Sequence, residues 1–202
     1  MTYLQSILAF SLLAFGFSFF AQSVQAQERM SKKYITIVAE RVIKAPAAKV
    51  WETMVLDYGR ISNFSPFIYT SDYQNGSLQG EVGAERKCHF NESGSRFAHE
   101  KILSIDQTNM VMQNAVIEAG KLPMDTDNSQ AFYKVRDNGD GTCTASYEFQ
   151  FRAKPAFMTS LMRGSFQKQL DETLMGLEHY ITTGEVVNAQ SGNWKMLRAQ
   201  YE

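Results

Sequence analysis

The chain has 202 residues, with 20 Lys and Arg against 21 Asp and Glu, for a formal net charge of −1. That length suits one domain of ordinary size with its own core. The near-zero balance gives no electrostatic case for nucleic acid or an anionic membrane surface as a partner.

Residues 1–26 carry no Lys, Arg, Asp or Glu, and "ILAFSLLAFGFSFFA" within them is a short apolar run followed by "VQA". This reads as a secretory signal cleaved after Ala26, although "MTYLQ" has no basic side chain. The rival reading is an uncleaved anchor, but the run is short for a membrane span. The expectation is an exported protein, periplasmic or extracellular, with no stable membrane insertion after cleavage. Three Asn-X-Ser sequons, at 63–65, 75–77 and 91–93, matter only in a host that glycosylates exported proteins.

"YITIVAERVIK", 34–44, is rich in β-branched residues and reads as a strand. "APAAKVWETMV", 45–55, follows as a helix opened by Pro46, with Val50, Trp51, Met54 and Val55 as its apolar stripe. "DYGRISNFSPF", 57–67, is a turn and a second short helix ending before Pro66, and "FIYTSDYQ", 67–74, is a strand closed by the turn "NGS". Four hairpin-connected strands follow at 83–90, 96–106, 109–118 and 129–136. "DNGDG" is the strongest turn in the chain, and the strand after it, 142–152, points Cys143, Ala145, Tyr147, Phe149 and Phe151 to one face. A long helix spans 156–182, with Leu161, Met162, Phe166, Leu170, Leu174, Leu177 and Ile181 at helical spacing. The tail, 185–202, reads as polar and loosely held, with Trp194 as its one candidate for docking. Domain boundaries follow as signal 1–26, domain 34–184 and tail 185–202.

The sequence is α+β: a large antiparallel meander whose apolar face only the last helix is long enough to cover. A curved sheet wrapped round one helix leaves a space between them. The hairpin "GAERKCHFNESGSRFAHEK" carries the first clue to that space. Ala84, Arg86, Cys88 and Phe90 share one face of its first strand, which puts an arginine on the dry side. Centring the turn on Ser93 sets Arg86 opposite Glu100, Cys88 opposite Ala98 and Phe90 opposite Arg96. A buried charge needs a partner, and a carboxylate fits guanidinium. Two readings stand: a self-satisfied structural pair, or a polar anchor for a ligand's head group in a mostly apolar cavity. Phe97, Leu103 and Ile105 on the opposite face of the second strand call for a bulge or a cover. Centring the last hairpin on Gly139 pairs Tyr133 with Ala145 and Val135 with Cys143. The inward aromatics Tyr133, Tyr147 and Phe149 then share the core with Phe166 and Leu170 of the helix, and some line a pocket.

The three histidines are scattered and read as solvated; no metal-ligand spacing, nucleophile motif or cofactor-binding motif is present, and no cofactor is expected. Six methionines in or near core elements, Met110, Met112, Met124, Met158, Met162 and Met175, suit an adaptable pocket.

"VIKAPAAKVWETMVLDYGRISNFSPF", "VGAERKCHF", "HEKILSIDQ", "DNGDGTCTASYEFQFRAKP" and "FQKQLDETLMGLEHYI" fall in the order of the SRPBCC superfamily, which the chain resembles over residues 34–184. This is the START-related, birch-pollen-allergen-like group that includes the polyketide cyclase/dehydrase and lipid transport-like proteins. The resemblance implies a helix-grip fold: a seven-stranded curved antiparallel sheet around a long C-terminal helix, two short helices after the first strand, and a cavity for a hydrophobic or amphipathic small molecule. It implies an Arg and a Glu at the places of Arg86 and Glu100. In the family's sheet order Cys88 and Cys143 lie too far apart to bridge, so both thiols are expected free. Loops 91–95 and 118–128 resemble the gate loops of plant hormone receptors of the superfamily, but "FIYTSDYQ" lacks their carboxylate-binding lysine. The functional expectation is a binder or carrier of a lipid-like or aromatic molecule, with Arg86, Glu100, Phe90, Tyr133, Tyr147, Phe149, Phe166 and Leu170 as ligand-binding residues. The alternative is a polyketide cyclase/dehydratase-like enzyme in the same cavity, with Arg86 and Glu100, joined by Tyr133 or Tyr147, as acid–base groups.

Overall fold

The structure, a computed structural model, describes residues 34–202; the expected signal lies outside the described residues. Strand β1 (Ile35–Ile43) leads into helix α1 (Ala47–Trp51), which runs on through a π-helical turn, Glu52–Leu56. Pro46 stands one residue before the helix, where its missing N–H costs nothing. A 3₁₀ segment, Tyr58–Asn63, is the second short helix.

Six more strands follow: β2 (Thr70–Gln74), β3 (Glu85–His89), β4 (Phe97–Asp106), β5 (Val111–Ala119), β6 (Gln130–Asp137) and β7 (Cys143–Phe151). The long helix α2 spans Met158–Thr183 and ends on Gly184, whose φ of 76° lets its N–H reach the Tyr180 carbonyl at 2.8 Å. All strands join one antiparallel sheet in the order β1-β7-β6-β5-β4-β3-β2. The expected helix-grip architecture is therefore the observed one.

Two bulges bend this sheet. The β4–β5 register shifts between His99 and Glu100 and again between Ile102 and Ser104. The second shift answers the sequence problem on β4: it leaves Leu103 outside and returns Ile105 to the inner face, opposite the fully buried Met112. Phe97 stays outside, where the Lys87 ammonium lies 4.1 Å from its ring centroid.

The β3–β4 register is the expected one, with Arg86 opposite Glu100 and Cys88 opposite Ala98. The last hairpin is corrected: Tyr133 pairs with Tyr147 and Val135 with Ala145, so the turn centres on Asp140. Gly139 and Gly141, both at positive φ, form the loop with Asp140 between them. The shift along each strand is even, so every inward residue keeps its face.

Helix α2 lies across the inner face, but not with its whole predicted stripe. Leu174 and Leu177 are buried and Phe166 packs on the core, while Leu161 is 76% exposed. Leu161 faces outward, while Met158, Thr159 and Met162 beside it pack inward and Thr159 Oγ1 accepts from the Ala153 N–H at 3.0 Å. Farther along, Gly176 passes so close to the Phe64 carbonyl that no Cβ would fit, and Ser65 Oγ and Thr173 Oγ1 hydrogen bond at 2.9 Å.

The expected loose tail is packed instead. A short helix α3 (Trp194–Leu197) buries Trp194, whose Nε1 donates to Glu172 Oε2 at 2.8 Å. The backbone N–H groups of Val187 and Ala189 donate to the carbonyls of Asn63 and Ile68. His179, expected at the surface, is buried with Nδ1 2.8 Å from the Tyr201 hydroxyl. His89 and His99 are partly buried, and His99 Nε2 lies 3.0 Å from Glu85 Oε2. Cys88 and Cys143 are free and buried, on strands separated by three others. No described helix is long and apolar enough to cross a membrane.

Candidate functional site

Between the bent sheet and α2 lies a cavity of about 120 Å³. All eight residues expected to contact a ligand, Arg86, Glu100, Phe90, Tyr133, Tyr147, Phe149, Phe166 and Leu170, stand on its wall. They come from β3, β4, β6, β7, α2 and the residue after β3, so only the assembled sheet and helix bring them together. A second chamber of about 270 Å³ adjoins it, lined by Leu122, Pro123, Phe151 and Met162 with Arg96 at its rim. The two share Phe67, Phe90, Met124, Phe166 and Gln169 as a common wall. The loops at 91–95 and 118–128 are tied together by a hydrogen bond from Lys121 N–H to the Ser95 carbonyl, 3.0 Å, and the second loop supplies one side of the outer chamber.

The inner chamber is mostly apolar, with Ser65, Gln169 and Thr173 on its wall and one charged cluster. There Arg86, 1% exposed, donates through Nε to Glu100 Oε2 at 2.7 Å, through one terminal nitrogen to the Tyr58 carbonyl at 2.9 Å, and through the other to the Tyr133 hydroxyl at 2.6 Å. Its guanidinium also lies 3.9 Å from the Tyr58 ring centroid. Asn114 Nδ2 donates to the Tyr58 hydroxyl at 2.9 Å. Tyr58 and Asn114 are the members that sequence reasoning missed. Asn114 carried a signal: it lies between Met112 and Val116 on the inward face of β5, a polar residue in a dry row as Arg86 is. Tyr58 carried none, because its chief contribution is a backbone carbonyl positioned by the 3₁₀ turn.

The electrostatics follow from burial. Burial works against the Arg86 charge, but Glu100, then Tyr133 and Tyr58, outweigh it and hold the guanidinium above its ordinary value. Burial pushes the Tyr58, Tyr133 and Tyr147 hydroxyls above the usual phenol value and the Cys88 thiol up to about 12. The cation is permanent and the phenols and thiol stay protonated near neutrality. Tyr147 packs edge-on against Tyr133, ring centroids 4.6 Å apart, and its buried hydroxyl has no hydrogen-bond partner among the described residues.

Chemically, this is a mostly apolar chamber whose wall carries one neutralised ion pair and one tyrosine with an unpartnered buried hydroxyl among the described residues. That composition suits an amphipathic small molecule, with few polar groups fixing orientation and apolar surface supplying affinity.

Solved structures share the fold. A solution structure from Thermobifida fusca is 20% identical with a TM-score of 0.59, over 72% of this chain and 92% of its own. A three-dimensional structure from Nitrosospira multiformis is 15% identical with a TM-score of 0.55, over 74% and 98%. The crystal structure of Ara h 8.0201 is 17% identical with a TM-score of 0.58, over 74% and 99%. No curated protein matches the sequence. The family model "Polyketide cyclase / dehydrase and lipid transport" matches residues 34–181, nearly all of the described domain, and with the helix-grip fold around it the chain belongs to that family within the SRPBCC superfamily.

Proposed function

We propose that the protein is an exported binder or carrier of a hydrophobic or amphipathic small molecule, held between the sheet and α2. The observation that carries this reading is the cavity: a mostly apolar chamber with the buried Arg86–Glu100 cluster on its wall and a second, more polar chamber adjoining it. The uncharged N-terminal segment ending in "VQA" supports export.

The alternative is a cyclase or dehydratase acting in the same cavity, as the family description allows. The protonation states favour binding over this reading. General acids and bases work best with proton affinities near the operating pH. Here burial moves the phenols and the thiol upward, away from neutrality, and Arg86 is locked by three hydrogen bonds.

Native mass spectrometry of the protein recovered gently from its exporting host tests the proposal. A mass matching cleavage after Ala26, plus a discrete adduct released by solvent, is the expected result. An uncleaved mass overturns export. An apo mass that neither fatty alcohols nor aromatic dyes shift overturns the binding reading.

A further inference from the structure

The Arg86 end of the cavity has a specific chemistry that the binding reading does not itself supply. Arg86 and Glu100 cancel each other's charge at 2.7 Å. The remaining Arg86 contacts, to the Tyr58 carbonyl and the Tyr133 hydroxyl, hold the guanidinium on two more sides. A carboxylate entering here would displace one of these partners or sit beside Glu100, and it would lose its water without a free cation in return. An ammonium would lose its water too, for a Glu100 charge that Arg86 already neutralises. What the site does offer is uncompensated hydrogen bonding. Tyr147 stands on the cavity wall, and its hydroxyl is buried with no partner among the described residues. Among the described residues, both contacts that Glu100 receives, from Arg86 Nε and from the Cys88 thiol, fall on Oε2, which leaves Oε1 as acceptor capacity for an incoming hydroxyl.

We propose that this end selects a ligand with an uncharged oxygen head group, an alcohol or a carbonyl, over carboxylates and amines of the same length. Tyr147 donates to the ligand oxygen, and a ligand hydroxyl can donate in turn to Glu100. The apolar remainder of the ligand extends past Phe90 and Phe166 toward the outer chamber. The inference rests on the binding reading and deepens it.

The test compares 1-decanol, decanoate, decylamine and decane, by displacement of an apolar fluorescent dye near neutral pH, in the wild-type protein and in Tyr147→Phe. The expected result is that decanol binds at least about tenfold tighter than decanoate and decylamine. In Tyr147→Phe, decanol weakens about three- to tenfold, the worth of one hydrogen bond, while decane is unchanged and so reports an intact cavity. Decanoate binding as tightly as decanol, or decanol indifferent to Tyr147→Phe, overturns the head-group inference and leaves the binding reading standing. Tight decanoate lost in Arg96→Ala overturns it too, by placing the head at the outer rim. Failure of all four probes to bind overturns the binding reading and this inference with it.

Discussion

Replacing Glu100 by Gln removes one charge from the cavity and little else. The amide has nearly the shape of the carboxylate, so packing is retained. Arg86, 1% exposed, would keep its cation with only neutral partners, the Tyr58 carbonyl at 2.9 Å and the Tyr133 hydroxyl at 2.6 Å. Breaking a buried pair in this way costs about 3–5 kcal/mol, because the orphaned charge is desolvated. For a domain of this size that is a fall in Tm of about 6–20 °C. Urea unfolding followed by tryptophan fluorescence, with a thermal scan beside it, measures the loss. Adding Arg86→Met removes the orphaned charge, so the double variant should regain much of the stability lost by the single one. A cost below about 1 kcal/mol for Glu100→Gln, the value of an exposed ion pair, would refute the reasoning, since it would mean that water reaches the pair.

Three further outcomes are expected. Tyr147→Phe deletes a buried hydroxyl without a partner among the described residues. It should raise stability by about 1–3 kcal/mol, read as a higher Tm; a lower Tm would show that the hydroxyl is satisfied in solution. The molecule should weaken in alkali. Burial raises Cys88 from 9.0 to about 12 and raises Tyr58, Tyr133 and Tyr147 above 10.0, so the unfolded chain gives up these protons first. Stability is then fully present below about pH 9 and declines as pH climbs toward 12, and a flat profile of unfolding free energy across that window would contradict the burial of these groups. Trp194→Ala removes a buried side chain and its hydrogen bond to Glu172. It should cost about 3–5 kcal/mol and speed amide exchange at Val187 and Ala189; unchanged exchange there would mean that the tail is held by other contacts.

Local rules reached far into this protein. The period of two placed Arg86, Cys88, Tyr133, Tyr147 and Phe149 inward, because side-chain alternation needs no knowledge of the partner strand. The short "NESGS" loop leaves its strands one close pairing, so the Arg86–Glu100 contact was legible from turn chemistry alone. The "DNGDG" loop has two glycines, and its centre could sit on Gly139 or Asp140; the tertiary structure chose Asp140, and the even shift hid the difference from every face assignment.

What local rules could not decide shares one cause: it depends on which distant surfaces meet. The stripe of α2 predicts a buried face but not how that face turns onto the sheet: Met158, Met162 and Phe166 pack inward while Leu161 is exposed. The bulges at Ile102–Ser104 and His99–Glu100 obey the fit of β4 to β5, not the preference of either strand. The tail is polar by composition, yet Trp194 and Tyr201 find Glu172 and His179 only once α2 is in place. The same holds at the cavity. The sequence by itself determined that an arginine and a glutamate share a dry face. Only the closing of seven strands round the helix decided that Tyr58 and Tyr133 take up Arg86's remaining bonds while Tyr147 keeps a hydroxyl free, because hydrogen bonds between residues so far apart in the chain exist only after the backbone has brought them within reach.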